Sequence, residues 1–247
     1  QLRVQAANFP LEVFFLRDDD IPEYVQDAVA DIGFVGENVL VESGKQADVV
    51  EKLGFGKCRL SIAVPKNGNI TNIQSLNGKR IATSYPTILR GFLNRNQISA
   101  SIHEISGSVE IAPRIGLADA ICDLVSSGST LFTNELKEIE TILSSEAVMI
   151  SHQQLSAGRR LILESLLFRI RSVKKAKNNK YVLLNAPNEK LEDIFALLPG
   201  IKSPTVLPLA ASGWSSVHSV ISEDDFWSRI ESLKAAGAEG ILIIPVE

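Results

Sequence analysis

Asp119-Ala120-Ile121-Cys122-Asp123-Leu124-Val125-Ser126-Ser127-Gly128-Ser129-Thr130-Leu131 is the stretch on which the fold class turns. Asp119 to Val125 is a short apolar run of strand length. Ser126 to Thr130 are small loop residues, and Leu131 opens a helix. Strand, small-residue loop and helix in that order form the repeating unit of an α/β fold. Phosphate binding needs free backbone N–H groups and no bulky Cβ in the way. Gly128 permits that approach, and Ser126, Ser127, Ser129 and Thr130 add donors. Asp123 is suited to accept from sugar hydroxyls or to help hold a cation. Ser and Thr are also ordinary helix caps, so a capped turn explains the same letters. The segment is neither a Walker loop nor GxGxxG, and its chemistry alone leaves both readings open.

The same alternation extends in both directions. Leu2 to Ala6 and Leu11 to Arg17 read as strands, and Asp20 with Glu23 reads as a capping box, Pro22 lying in the first helical turn. Ile32 to Val35 is a strand and Glu37 starts a helix. Arg59 to Val64 is a strand, and Asn77-Gly78 turns the chain into a strand at Arg80 to Thr83. A helix spans Thr87 to Asn94, and another is expected after Ser108, carrying Glu110 and Arg114. Ile139 to Ser151 gives one or two strands. Leu163, Leu166, Leu167, Ile170 and Val173 keep helical spacing. This alternation predicts mostly parallel sheets flanked by helices. Beyond Asn179 the order becomes βαββαβ, the ferredoxin-like split motif, which sets a domain boundary near residue 179.

Bulk composition narrows the function classes. The chain has 247 residues, 45% hydrophobic and 22% charged, with net charge −4. Interspersed charges disfavour a dedicated nucleic-acid binder. Lys174, Lys175, Lys177 and Lys180 are placed to complement a helix C-terminus. No apolar run reaches the roughly 18 to 20 residues of a membrane span. Cys58 and Cys122 sit in apolar, strand-like surroundings and form no CxxC pair, which suggests buried, reduced thiols and a cytoplasmic setting. The chain opens on strand-like sequence with no signal-peptide pattern, and a first strand is expected upstream. His103, His152 and His218 are scattered without metal-ligand spacing. No GxSxG or related nucleophile motif occurs.

Other polar groups admit two readings each. Arg17-Asp18-Asp19-Asp20 follows a strand end, where α/β proteins place ligands, and Arg17 is suited to meet an anion bidentately. Glu37 reads as a favourable first-turn acid ahead of a catalytic role. Glu110 and Arg114 have i, i+4 spacing and read equally as a helix pair. Lys79 and Arg80 read as surface charges.

Asp18 to Pro22, Asp31-Ile32-Gly33 to Leu40, Asn77 to Pro86 and Gly107 to Leu131 together resemble the ATP phosphoribosyltransferase family, along nearly the whole chain. The appended βαββαβ unit is similar to the long form, which carries a histidine-sensing domain. The resemblance implies an α/β catalytic part with two lobes of the type II periplasmic-binding-protein kind, plus a ferredoxin-like domain. Lobe I would comprise residues 1–60 and 146–178, lobe II residues 61–145, and the regulatory domain residues 180–247. It implies transfer from phosphoribosyl pyrophosphate to adenine N1 of ATP, dependence on Mg²⁺ brought with substrate, inhibition by histidine, and dimers and hexamers. Asp123 and Ser126, Ser127, Gly128, Ser129 and Thr130 match the phosphoribosyl pyrophosphate loop, and Arg17 matches an arginine facing the pyrophosphate. Arg17 and Asp123 would be catalytic. Thr83, Tyr85, Glu110 and Arg114 match motifs near ATP, and Ser203, Thr205, Leu207 and Leu209 match the histidine site. The family's first strand and the basic, glycine-containing loop after it find no match here. The rival reading is a two-lobed small-molecule binding or sensor protein without catalysis.

Overall fold

The computed structural model describes residues 2–198, 200 and 202–246. It divides into two compact units, Gln1–Arg160 and Leu161–Glu247.

The first unit opens with an antiparallel hairpin of β1 (Arg3–Gln5) and β2 (Glu12–Phe14). A 3₁₀ turn at Asp18–Asp20 leads into α1 (Ile21–Gln26), with Pro22 in its first turn. The expected capping box does not form. Asp20 is already right-handed (φ −84°, ψ −25°), not extended as a capping residue must be, and Glu23 pairs instead with Lys45 at 3.0 Å. There follow β3 (Ile32–Gly36), α2 (Glu37–Ser43) and β4 (Asp48–Lys52). Next come β5 (Cys58–Pro65), β6 (Arg80–Thr83), α3 (Pro86–Arg95), β7 (Ser101–Glu104) and β8 (Ala120–Val125). The unit's strands end with β9 (Leu136–Ser145) and β10 (Ala147–Ser151), reached through α4 (Ser129–Thr133).

These strands build two larger sheets. One has the order β3-β10-β4, the other β7-β6-β8-β5-β9. Among the described residues only β6 pairs parallel, with β7 and with β8. The expectation of mostly parallel sheets is therefore corrected. A parallel return needs a crossover of a dozen or more residues. The five-residue α4 is too short for one, and β9 returns antiparallel beside β5.

The chain crosses between the sheets twice, at residues 53–57 and at Glu146. Those crossings are tied together. Leu53 N donates to Ala147 O and Ala147 N to Phe55 O, both at 2.9 Å, while Gly54 N donates to the Glu146 carboxylate at 2.8 Å.

Burial explains the sequence pattern. In β5, Leu60 to Val64 are all buried, because the five-stranded sheet is covered on both faces. Leu60, Ile62, Ile81 and Cys122 meet Leu89 and Phe92 of α3. Ala63, Ala82, Ile121 and Val125 meet Leu131 and Val109 on the other side. In the smaller sheet, Val35, Val148 and Ile150 pack with Val25, Val39 and Leu40 of the two helices. Gly33 allows the close approach of α1, since a Cβ there would lie 2.5 Å from Ile21 Cγ2.

Arg80, read as a surface charge, is a clamp. Its backbone N–H donates to Asp119 Oδ2 at 2.9 Å, Nη2 to Oδ1 at 3.0 Å, and Nη1 to Gly116 O at 2.9 Å. This guanidinium holds the Asp119 carboxyl below the usual carboxylate range. Cys122 is buried, its thiol pushed up to about 12 by that burial, whereas Cys58 is only half-buried.

The helix α5 (Ala157–Lys177) begins in the first unit, buries Leu163 and Leu167, and carries Lys174, Lys175 and Lys177 in its last turn. The second unit continues with β11 (Asn179–Pro187), α6 (Leu191–Leu197), β12 (Thr205–Pro208), β13 (Trp214–Ser222), α7 (Glu223–Ala235) and β14 (Glu239–Pro245). Its sheet order is β12-β13-β11-β14, antiparallel throughout. With the first strand central and helices after the first and third strands, this is the ferredoxin-like arrangement. Val182, Leu184, Val217, Phe226 and Leu233 form its core.

Candidate functional site

β8 is buried at Ala120 to Cys122 and at Val125 and half-buried between, and the chain then surfaces: Ser126, Ser127, Ser129 and Thr130 are all exposed. Gly128 is left-handed (φ 82°, ψ 0°) and stands at the N-cap of α4, which starts at Ser129, two residues before the expected Leu131. Glycine at the N-cap brings no side chain of its own, and the capping contact in the first turn is a long one from Ser127. The Ser127 and Ser129 hydroxyls lie 3.1 Å apart, and Ser129 N reaches Ser127 Oγ only at 3.4 Å. One cap contact at this length does not account for four hydroxyl residues, and all four are exposed. A left-handed residue followed by helical ones also points successive N–H groups into one concavity, which suits an anion.

Arg59, which the sequence reading missed, fastens the start of this loop. Its Nη1 donates to Ser126 O at 3.2 Å and its Nε to Glu138 at 2.8 Å. Ser126, Lys57, Arg59, Glu37 and Ser145 border a cleft of about 420 Å³ at the crossing between the two sheets. Glu37 pairs there with Lys52 at 2.9 Å, which suits the structural reading of that acid.

Asp123 is half-buried and accepts from Leu124 N at 2.8 Å. Burial pushes its carboxyl up, and the charge of Glu110 pushes the same way. Tyr85 is pushed up to about 12, chiefly by burial, against a lowering bond from Asn38. The charges of Asp123 and Asp19 raise it further. Asp123 is thus electrostatically coupled to both Glu110 and Tyr85.

Thr83 has a different place from the one expected. It is fully buried, donates Oγ1 to Cys122 O at 2.7 Å, and accepts from Tyr85 N at 2.9 Å. It holds Tyr85 and presents nothing to a ligand. The helix expected after Ser108 is reduced to a 3₁₀ turn at Val109–Ile111, with Ser108 itself left-handed (φ 51°). Glu110 and Arg114 form no pair, because helical geometry ends before Arg114. Arg114 is exposed and borders a second cavity of about 410 Å³ together with Lys66 and Asn134. Arg17 is exposed at the start of the Asp18–Asp20 turn, and no hydrogen bond or ion pair of its guanidinium occurs among the described residues.

In the second unit, Ser203, Thr205 and Leu207 are exposed on or beside the edge strand β12, and Leu209 is half-buried. Thr205 stands opposite His218 and Leu207 opposite Ser216. His218, read in the sequence only as one of three scattered histidines, bridges Tyr181 Oη at 2.7 Å and Ser216 Oγ at 3.0 Å.

Two family models match the chain, meeting within α5 and not at the Arg160–Leu161 division of the compact units. A family model described as ATP phosphoribosyltransferase matches residues 17–172, and one described as HisG, C-terminal domain, matches residues 176–247. The ATP phosphoribosyltransferases of Cytophaga hutchinsonii and Bacteroides thetaiotaomicron are 63% and 56% identical over 246 residues. The alignments span 100% of this chain and 86% and 87% of theirs. Among solved structures, the ATP phosphoribosyl transferase (HisG:HisZ) complex from Thermotoga maritima matches with TM-score 0.61 and 26% identity, over 70% of this chain and 87% of that one. Tv2483 bound to L-arginine matches with TM-score 0.51 and 17% identity, over 67% and 71%, a likeness of fold alone. The fold is thus a two-lobed α/β part of the type II periplasmic-binding-protein kind followed by a ferredoxin-like domain.

Proposed function

The chain belongs to the ATP phosphoribosyltransferase family, which joins adenine N1 of ATP to the anomeric carbon of phosphoribosyl pyrophosphate and releases pyrophosphate, and from that premise we propose which residues handle each part of the reaction. A sensor without catalysis finds no support from relatives this similar over the full chain. The substrates are ATP and phosphoribosyl pyrophosphate.

Ser126, Ser127, Gly128, Ser129 and Thr130 hold the sugar 5′-phosphate, and Asp123 takes the ribose hydroxyls. The observation that carries this is the loop itself: four exposed hydroxyl residues around a left-handed glycine at the start of α4, with a single long contact from Ser127 to the helix's first N–H. Tyr85, Glu110 and Arg114 serve ATP. Lobe I comprises residues 1–60 and 146–178, lobe II residues 61–145, and residues 180–247 form the regulatory domain.

Adenine N1 carries a lone pair, so attack on the anomeric carbon needs no strong base. The protein's contribution is alignment of the two substrates and neutralisation of the leaving pyrophosphate. Among the described residues the Arg17 guanidinium has no hydrogen bond or ion pair, and it is long enough to swing onto an anion, which favours it for the second task. Burial and the charge of Glu110 raise the Asp123 carboxyl, which makes this part of the site one that Mg²⁺ arriving with the substrate would relieve. When bound, Mg²⁺ supplies further charge neutralisation at the pyrophosphate.

Arg17→Ala is expected to lower kcat by about 10²- to 10³-fold while the Kd for ATP changes less than about threefold. Turnover and equilibrium binding separate the two effects, and unchanged turnover removes Arg17 from this role.

In the second unit, Ser203, Thr205, Leu207 and Leu209 take histidine as inhibitor, and the chain works as dimers and hexamers in the cytoplasm. No helix among the described residues is long and apolar enough to cross a membrane. The direct test is incubation with ATP, phosphoribosyl pyrophosphate and Mg²⁺, with and without histidine. Phosphoribosyl-ATP should form and histidine should suppress it. Absence of product refutes the catalytic assignment, and insensitivity to histidine refutes the regulatory one.

A further inference from the structure

Asn38 of α2 is buried, with 5% of its surface exposed, and has no part in the reaction as assigned above. Its backbone N–H donates to Ser145 Oγ at 3.0 Å, and that hydroxyl donates back to Asn38 Oδ1 at 2.8 Å. This arrangement gives the Ser145 proton an acceptor and uses both ends of the amide, which favours Oδ1 toward Ser145. Nδ2 is then the end that faces Tyr85, and it donates to Tyr85 Oη at 3.3 Å. A phenol that accepts from an amide N–H keeps its own proton for another partner.

The rest of the seat supports the same function. Glu42 lies four residues after Asn38 on the same helical face. It accepts from Thr87 N at 2.7 Å and from Ile88 N at 3.0 Å, anchoring the helix that begins directly after Tyr85. Thr83 Oγ1 accepts from Tyr85 N at 2.9 Å. Tyr85 is therefore held at its backbone, at the following helix and at its hydroxyl. The first hold comes from its own sheet, the other two from α2 against the smaller sheet.

We propose that Asn38 is a positioning residue for the transfer reaction: by donating to Tyr85 Oη it turns the Tyr85 O–H outward as a hydrogen-bond donor to an acceptor atom of the nucleotide substrate. This rests on the reading that Tyr85 faces ATP. Ser145 acts one step further back, orienting the Asn38 amide.

Asn38→Asp is the informative variant. It is nearly isosteric and keeps an acceptor for Ser145 Oγ, but it offers Tyr85 an acceptor where it had a donor, so the phenol proton turns inward. The KM for ATP is expected to rise about fivefold to tenfold, with kcat changed less than about twofold. Tyr85→Phe should raise it by a similar factor, and the double variant no further than either single one. Ser145→Ala should move the KM for ATP in the same direction by about twofold to threefold, which keeps the test open if Asn38→Asp folds poorly. In ligand-free protein labelled with ¹³C at tyrosine Cζ, the Tyr85 signal should shift in Asn38→Asp.

An effect of Asn38→Asp that is equally large in the Tyr85→Phe background overturns the proposal, as does an unmoved KM. If Tyr85→Phe changes the KM for ATP and Asn38→Asp does not, only this proposal fails. If Tyr85→Phe is itself silent, the placement of Tyr85 at ATP fails and the proposal with it.

Discussion

Gly128→Ala is expected to lower kcat/KM for phosphoribosyl pyrophosphate by about a hundredfold or more, while the KM for ATP changes less than about threefold. Gly128 has φ 82° and ψ 0°, a conformation in which an L-residue costs roughly 1–2 kcal/mol. An added Cβ would meet Val125 Cγ1 only at 4.0 Å, so the penalty comes from backbone conformation and not from a clash. The loop relieves it by rotating the peptides around residue 128, which moves the donors meant for the sugar phosphate. A displacement near 1 Å in a positioned group costs on the order of 10²-fold. The melting temperature should fall by only a few degrees, because the strain is local. Initial velocities with each substrate varied in turn distinguish this from general unfolding. An equal loss for both substrates contradicts the assignment of the loop to one of them.

The second large effect is expected of Asp123→Asn: activity falls at least about 10²-fold while the fold becomes more stable. Asp123 is half-buried, accepts from Leu124 N, and faces the charge of Glu110; burial first and that charge second raise its carboxyl above the ordinary value of 3.8. As pH rises from that value, the unfolded chain releases its proton before the folded one does. Folding stability therefore falls through the window between the ordinary value and the raised one, and stays level above it. At neutral pH the ionised carboxylate is a burden on the fold, which the neutral amide removes. Scanning calorimetry should show a higher melting temperature for Asp123→Asn at pH 7, and a gain that disappears below the ordinary carboxylate range. A lower melting temperature at pH 7 refutes the strained-carboxylate account. Loss of function with gain of stability is the mark of a group kept for chemistry.

The elements most readable in the sequence were those whose pattern is local. Asn77-Gly78 announced the strand at Arg80 to Thr83, and the βαββαβ order after Asn179 yielded the ferredoxin-like sheet. Strand direction was not readable. The apolar run Leu60 to Val64 records burial on both faces, which a central antiparallel strand and a parallel one share. The short strands β4 and β7 are polar or exposed along much of their length, so little periodicity marks them. Left-handed Ser108 carries no sequence signal, and the helix expected after it shrank to a 3₁₀ turn. Ser126 to Thr130 were legible as a loop between strand and helix, because small residues follow an apolar run, while their chemistry left a capped turn equally open. Asn38 and Ser145 were not, since 107 residues separate two side chains that meet only through the topology. Arg59 lies 67 residues from Ser126, whose carbonyl it holds, and Arg80 lies 39 from the Asp119 it clamps.

Amide hydrogen exchange read by mass spectrometry tests the central claim most directly, in the presence of phosphoribosyl pyrophosphate and Mg²⁺ and with ATP alone as the comparison. Phosphoribosyl pyrophosphate should protect peptides spanning Asp123 to Leu131, and Gly128→Ala should remove that protection. ATP alone should leave them unchanged and protect the segment around Tyr85. Saturation with phosphoribosyl pyrophosphate that leaves residues 123–131 unprotected, while slowing exchange elsewhere, would contradict the assignment of the loop.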